Sequence, residues 1–411
     1  MLDHGLSGNL DASPFDLAKL LDPILPATFF AEYWEQKPLF VSRTNPGYYA
    51  PLLKVEQIDP LLTALAPQDI TLVNADAPLE VEEMARKNTG SAPLEVVRAC
   101  QLFLEGATII FGAVHERLAT FAAICRHLEI AFSAPLQANL YMTPACGSGL
   151  KTHYDTHDTI LIQLGGSKEW AIFDPPMSLP LVGQKFDETI HKIGEPIMSV
   201  VLSAGDLLYI PRGFPHRGRA RDDTSVHVTL GVLTYRWSEV LIESMAQICL
   251  TDPAFRRALP TAFSRSDFDI AAARREFSDL MQRAAGLARL DPVLGRIADE
   301  FVTRRRAFVP GQLDQAALAQ NLAVGDEVGV RSTALFRMCN EGPAVRILSQ
   351  GREITMPAEA AEAVAFALRS SRYRVRDLPG DLSDDDKLAI VSHLIEEGLV
   401  LRYSAGERCT E

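Results

Sequence analysis

The chain has 411 residues, of which 47% are hydrophobic and 23% charged, and it carries a formal net charge of −13 at pH 7. That length suits two or three domains, and the composition excludes a disordered or fibrous chain. The negative balance disfavours non-specific nucleic-acid binding and suits basic partners.

The N-terminus, MLDHGLSGNLDASPFD, lacks a basic region followed by an apolar run, so no signal peptide is expected. No apolar stretch is long enough to cross a membrane. Cysteines stand at 100, 125, 146, 249, 339 and 409 with no C-x-x-C pair, which removes support for a cysteine zinc site or a thioredoxin-like motif. Reduced thiols in a cytoplasmic protein are the expectation.

In chain order, residues 1–24 read as a lead-in ending in a short helix, Phe15–Leu21. Ala27–Gln36 reads as a helix whose Tyr33–Trp34 pair packs beneath a barrel. Val55–Leu65 is a candidate helix and Asp69–Val73 a short strand. Leu94–Leu104 is amphipathic and stopped by Gly106, Thr108–Phe111 suits a strand, and His115–Leu128 is helical in period.

From about Gln137 to Leu233, short strands alternate with glycine-rich turns, the pattern of a β-barrel or sandwich. Thr159–Leu164 and Lys168–Phe173 flank Gly165–Gly166 as a hairpin. The turn Ala204–Asp206 feeds Leu207–Ile210, followed by Pro211–Arg212–Gly213 and His216. A long insertion, Met177–Pro196, lies between these parts, and such insertions at a barrel mouth carry substrate contacts.

After Tyr235 the period is helical, over Trp237–Leu250, Phe268–Ala285 and Leu290–Phe301. The last hundred residues read as a small α/β unit. Ala344–Leu348 and Glu353–Met356 form a hairpin, and Ala358–Arg369 a helix. A second helix runs from Ser383, with Asp384–Asp386 behind it, to Glu397 and stops at Gly398. Leu399–Tyr403 closes the unit. Residues 311–411 hold 16 acidic and 11 basic side chains; an acidic module is a poor reader of phosphates, so no direct DNA binding is expected.

The chemistry-bearing residues cluster in the barrel. His153 and Asp155, two apart on a strand, point to one face. A distant histidine, His216, can supply a third ligand. Two histidines and one carboxylate on one face of an octahedral ion leave three positions open, as in non-haem Fe(II) oxygenases. Zinc accepts the same ligands but does no redox chemistry with oxygen. An isolated H-x-D reads equally well as a surface pair on a turn.

Lys168, if inside the barrel, needs an anion; at a hairpin end its head would sit in water. Asn139 with Tyr141, and His227 with Thr229, are i, i+2 pairs able to face a lumen, or merely polar strand faces. His157 follows Asp155 by two and is expected at the barrel mouth near substrate. Tyr209 and Arg212 flank the metal strand and read equally as substrate contacts or as braces.

The stretch resembles the JmjC/cupin-type 2-oxoglutarate oxygenases, and more closely the ribosomal oxygenase branch. The resemblance rests on HYD at His153–Asp155, on I-Q-L-x-G-x-K-x-W at Ile162–Trp170 and on G-D-L-L-Y-I-P-R-G-x-x-H at Gly205–His216. Asn139–Thr143, His227–Leu230 and Tyr33–Leu39 also fit, so the motifs span roughly residues 25–235.

That resemblance implies a mixed α and β chain. A double-stranded β-helix (jelly-roll) catalytic domain with N-terminal helices would occupy 1–235, a helical dimerisation segment 236–310, and a winged-helix-like domain 311–411. It implies Fe(II) on His153, Asp155 and His216, and 2-oxoglutarate paired with Lys168 and contacted by Asn139, Tyr141, His227 and Thr229. With O2 these would hydroxylate a His or Arg side chain of a ribosomal protein, the iron centre acting without a separate acid or base. The alternatives are an oxygenase or cupin metalloenzyme acting on another peptide or small molecule, and a non-catalytic ribosome- or protein-binding module.

Overall fold

The computed structural model describes residues 15–54, 57–64, 70–75, 96–341 and 344–403. The lead-in before Phe15, the ends of the expected Val55–Leu65 helix, Asp69, Leu94 and Cys409 lie outside the described residues. The first helices are Leu17–Leu21, capped by Asp16 accepting from the Lys19 N–H at 2.7 Å, and Pro26–Glu32, with proline at its first turn. Leu61–Ala64, Val96–Leu104 and Ala119–Phe132 follow.

Ten strands build the barrel: β1 (Leu39–Val41), β2 (Ile70–Val73), β3 (Thr108–Phe111), β4 (Leu136–Thr143), β5 (Asp158–Gly165), β6 (Ser167–Phe173), β7 (Pro196–Ser203), β8 (Leu207–Ile210), β9 (His216–Ala220) and β10 (Ser225–Val232). They form a large antiparallel sheet in the order β1-β8-β5-β10-β4-β3-β2 and a small one, β7-β6-β9. The β5–β6 hairpin turns at Gly166, where φ is +60° and a Cβ would stand 2.1 Å from the Thr224 carbonyl oxygen. Only glycine fits there.

Strand alternation sorts the large sheet into two faces. Leu136, Ala138 and Leu140 of β4, Ile160 and Ile162 of β5, Leu207 and Tyr209 of β8, and Val226–Val232 at alternate positions of β10 join a core with the N-terminal helices. The intervening residues face the small sheet. Leu161, Leu208 and Ile210 meet Trp170, Ile172, Leu202 and Phe214 there in a second apolar cluster. Both faces of β5 and β8 are therefore buried, which explains their unbroken apolar runs. At the other end of the same lumen the inward positions are polar.

The remaining strands are β11 (Glu327–Val330), β12 (Phe336–Glu341), β13 (Ala344–Ser349), β14 (Arg352–Pro357), β15 (Tyr373–Arg374) and β16 (Val400–Arg402). By packing, the chain divides into two units. The first holds the barrel together with residues 308–335 and those after 358. It includes the sheet β15-β11-β16, the helices Gln312–Ala319 and Ala361–Ala367, and the helix Asp384–Glu396, whose Ser383 cap exchanges hydrogen bonds with Asp386.

The second unit holds helices Trp237–Thr251, Ile270–Leu287 and Leu290–Thr303 with the sheet β12-β13-β14. Within it, Arg337 donates to the Gly295 carbonyl at 2.9 Å and pairs with Asp299 at 3.1 Å. The expected hairpin is present, but it packs with helices that precede it rather than with the rest of 311–411. No described helix is long and apolar enough to cross a membrane.

Candidate metal centre

His153 and His216 are cross-strand partners. The His216 N–H donates to the His153 carbonyl at 2.8 Å, and the His153 N–H returns a bond to the His216 carbonyl at 3.3 Å. This places the two rings 4.7 Å apart. Asp155, two residues on, is held by the Gly213 N–H donating to its carbonyl at 3.0 Å. Its carboxylate lies 3.9 Å from His153 Nε2 and 3.8 Å from His216 Nε2. The three ligating atoms all lie within 4.8 Å of one another.

Both imidazoles are turned the same way by the backbone. His153 Nδ1 lies 2.8 Å from the Lys151 carbonyl oxygen, and His216 Nδ1 lies 3.0 Å from that of Phe214. A carbonyl only accepts, so Nδ1 carries the proton and the Nε2 lone pair faces Asp155, the tautomer a metal requires. Burial, helped by His153, pulls His216 down to about 4. Burial pushes the Asp155 carboxyl up, but the facing His216, His157 and His153 outweigh it and leave it lowered. A neutral imidazole beside an ionised carboxylate is the protonation state of a metal ligand set.

These residues line one wall of a cavity of roughly 210 Å³. Lys168 lines another. The residue is 2% exposed, and its ammonium donates to Thr143 Oγ1 at 3.0 Å and sits 5.2 Å from the Trp170 ring centroid. No carboxylate pairs with it among the described residues, and burial pulls it down to about 7. His227 and Trp170 line the same cavity, and His227 Nδ1 and Trp170 Nε1 are buried with no partner. A buried cation and two orphaned nitrogens are what a small carboxylate ligand would satisfy.

The cavity contains most of the residues the sequence singled out. Asn139, Tyr141, His157, His227 and Thr229 all line it. The cross-strand pairs His227–Tyr141 and Thr229–Asn139 set them side by side. The Tyr141 and His227 rings stack at 4.7 Å and 9°. His227 stays outside the three-residue cluster, and burial, then Lys168, holds it well below its usual range.

Tyr209 and Arg212 stand elsewhere. Tyr209 donates to Asp158 Oδ1 at 2.8 Å and accepts from the Glu35 N–H at 2.9 Å, and its ring stacks on Trp34. Arg212 pairs with Asp158 at 2.8 Å and with Glu35. Neither lines the cavity. They brace the N-terminal segment to the barrel.

A family model described as the JmjC domain matches residues 114–240, which hold the three ligands and Lys168. Residues 114–240, with β4 to β10, are a JmjC domain. The chain is related to the ribosomal oxygenases. It is 32% identical over 255 residues to the bifunctional lysine-specific demethylase and histidyl-hydroxylase NO66 of Drosophila yakuba, covering 59% of this chain and 36% of that protein. It is 30% identical over 265 residues to ribosomal oxygenase 2 of Mus musculus, covering 61% and 56%. The chain thus spans between about a third and just over half of those relatives' length. A solved structure of the Escherichia coli ribosomal oxygenase YcfD, in complex with cobalt and 2-oxoglutarate, is similar with a TM-score of 0.51 at 16% identity, over 92% of this chain and 98% of that one.

Several residues in or beside the JmjC cavity were not anticipated, among them Gln137, Trp170 and Gly218, which line it, and Thr143, which accepts from Lys168. Gln137 and Thr143 continue the inward period of Asn139 and Tyr141 on β4, and Trp170 that of Lys168 on β6, so the period-two signal was sufficient to find them. Gly218 left no such signal. A Cβ there would stand 2.8 Å from Lys168 Cε and 3.1 Å from the Trp170 ring. Its missing side chain is the space through which the lysine reaches the cavity.

Proposed function

We propose that this JmjC protein is an Fe(II)- and 2-oxoglutarate-dependent protein hydroxylase acting on a His or Arg side chain of a ribosomal protein. One observation carries the reading: the metal-ligand cluster and an unpaired, buried lysine share a single small cavity. Bound iron would supply oxygen activation coupled to oxidative decarboxylation of 2-oxoglutarate to succinate. His153, Asp155 and His216 would hold it, and their facial arrangement leaves positions for co-substrate and oxygen. Zinc would fit the donors but not the chemistry.

Lys168 would pair with the far carboxylate of 2-oxoglutarate, a charge-assisted contact strengthened by burial. Asn139, Tyr141, His227 and Thr229 would pack and orient the co-substrate. Asn139 Oδ1 is itself fixed by the Ala113 N–H at 3.0 Å. His157, packed against Gly231 on the same cavity wall, would meet the substrate side chain. The ribosomal target is supported by the names of the relatives and by the net charge of −13, which suits basic ribosomal segments.

The test is mass spectrometry of ribosomal proteins incubated with the protein, Fe(II) and 2-oxoglutarate. One added oxygen on a His or Arg, with succinate formed, is expected. Succinate without a modified ribosomal protein would move the target to another peptide or small molecule.

We propose further that residues 236–310 mediate a homodimer and that the winged-helix-like part expected over residues 311–411, whose β12–β14 sheet packs with the helical unit, binds protein. The helix Trp237–Thr251 exposes Trp237, Leu241, Ile242 and Leu250 to between 65% and 71%, an apolar surface that a second copy would cover. Light scattering should give twice the chain mass, and a monomer would remove the dimer.

A further inference from the structure

Residue 154 lies between two of the proposed metal ligands. Alternation turns His153 and Asp155 to the cavity and Tyr154 to the opposite side, where its ring is 4% exposed. There it meets the Met177–Pro196 insertion. Its hydroxyl donates to the Gln184 carbonyl at 3.0 Å. Phe186 approaches it edge-on at 5.3 Å and 82°, and His191 lies at 5.5 Å. Phe186 and His191 stack on each other at 5.5 Å and 28°.

The loop that carries this aromatic pair closes on itself. The Asp187 N–H donates to His191 Nδ1 at 3.0 Å, and Asp187 Oδ1 accepts from Thr189 N and Oγ1 at 2.8 and 2.6 Å. It is a preformed seat, not a trailing segment.

The ligand strand needs such support. It bridges β9 at Ser148–Arg219 and again at His153–His216. His153 is five residues on from Ser148, while His216 is only three back from Arg219, so two extra residues bulge out between the bridges. Across the bulge, the Leu150, Lys151 and Thr152 N–H groups donate to no protein acceptor among the described residues. The Gly149 N–H still donates to the Gly218 carbonyl at 3.3 Å, and the next ladder bonds are those His153 exchanges with His216, so over the three residues just before His153 the ladder gives no support.

We infer that the Phe186–His191 seat, closing on Tyr154, is a positioning device for the metal: it backs the His153–Asp155 stretch, whose backbone bonds join it to His216 and Gly213, on the side where the preceding ladder is interrupted. These three aromatic residues touch no reacting atom. They act through the strand, as outer partners of metal ligands do. The inference rests on the metal-centre reading given above.

The test is Co(II) binding by the full chain, measured calorimetrically on the wild type and on Tyr154→Phe, Tyr154→Ala and Phe186→Ala, with unfolding temperatures of the metal-free proteins taken alongside. Wild-type protein that binds no Co(II) overturns the metal-centre reading itself. With wild-type binding present, Phe186→Ala and Tyr154→Ala should weaken Co(II) by about 10- to 100-fold. Tyr154→Phe, which keeps the ring, should stay within about threefold of wild type, because only one hydrogen bond is lost. Should Phe186→Ala fail to fold, Phe186→Leu keeps the apolar volume without the edge-on ring and should still weaken Co(II). A lowered unfolding temperature with wild-type Co(II) affinity in these variants would reduce the seat to packing and overturn the inference.

Discussion

Two clusters of charged side chains are built into the same barrel, and they differ in one respect. Glu35, Asp158, Tyr209 and Arg212 form the first, and each charge in it has an internal partner: Arg212 faces two carboxylates, and Tyr209 joins Asp158 to the Glu35 backbone. His153, Asp155, His216 and Lys168 form the second, and it is left open. Two Nε2 lone pairs converge on a carboxylate that cannot donate to them, and an ammonium is buried with a hydroxyl as its only hydrogen-bond partner among the described residues. The clusters interleave in sequence, since Asp158 follows Asp155 by three and Arg212 precedes His216 by four. Burial and charge alone therefore do not mark a functional site. What marks it is the absence of an internal partner for each charge.

Substitutions in the two clusters should separate them. Asp155→Ala should abolish turnover and metal binding while leaving the unfolding temperature near that of the metal-free wild type, because no ladder bond depends on the carboxylate. Arg212→Ala should do the reverse. Removing one partner of a buried ion pair costs about 3–5 kcal/mol of stability, readable by denaturant unfolding, with Co(II) binding kept wherever the protein is folded. Unchanged stability in Arg212→Ala with a raised KM would return Arg212 to the substrate.

The same contrast shows how far the sequence could be read. Strand period put His153 and Asp155 on one face, but an isolated H-x-D reads equally as a surface pair; grouping it with His216 and Lys168 came from the resemblance to the JmjC/cupin-type oxygenases, and the structure brings all four to one cavity. Tyr209 could not be assigned, because alternation gives two faces without saying which is the lumen. Leu208 and Ile210 pack inward while Leu207 and Tyr209 pack outward against the helices, and that follows from closure of the sheets. Glu35 was invisible as a partner of Arg212 because 177 residues separate them. Gly218 was missed because its contribution is an absent side chain. The hairpin β13–β14 was read correctly as local structure, but which neighbours bury it is a matter of tertiary packing.

The smallest expected effects come from the open cluster's lysine, and they test whether it is open by design. Lys168→Ala should weaken 2-oxoglutarate by about 10- to 100-fold, the range for losing a hydrogen bond to a charged group, with Co(II) binding retained. Its titration sharpens the point. Burial lowers Lys168 to about 7 from a usual value near 10.5, so the charged form is penalised in the folded protein. The penalty is fully present below about pH 7 and is relieved as pH rises toward 10.5, so the co-substrate-free protein should gain stability across that interval. A carboxylate partner demands the charged form, so binding above pH 7 must take up a proton. With Co(II) saturating, 2-oxoglutarate affinity should fall about fivefold between pH 7 and pH 8. Calorimetry in buffers of different ionisation enthalpy should show nearly one proton absorbed at pH 8 and little at pH 6. Lys168→Ala should flatten both. A wild-type affinity independent of pH over this range would mean that the lysine already holds its proton against a partner, and the distinction between the two clusters would lose its chemical basis.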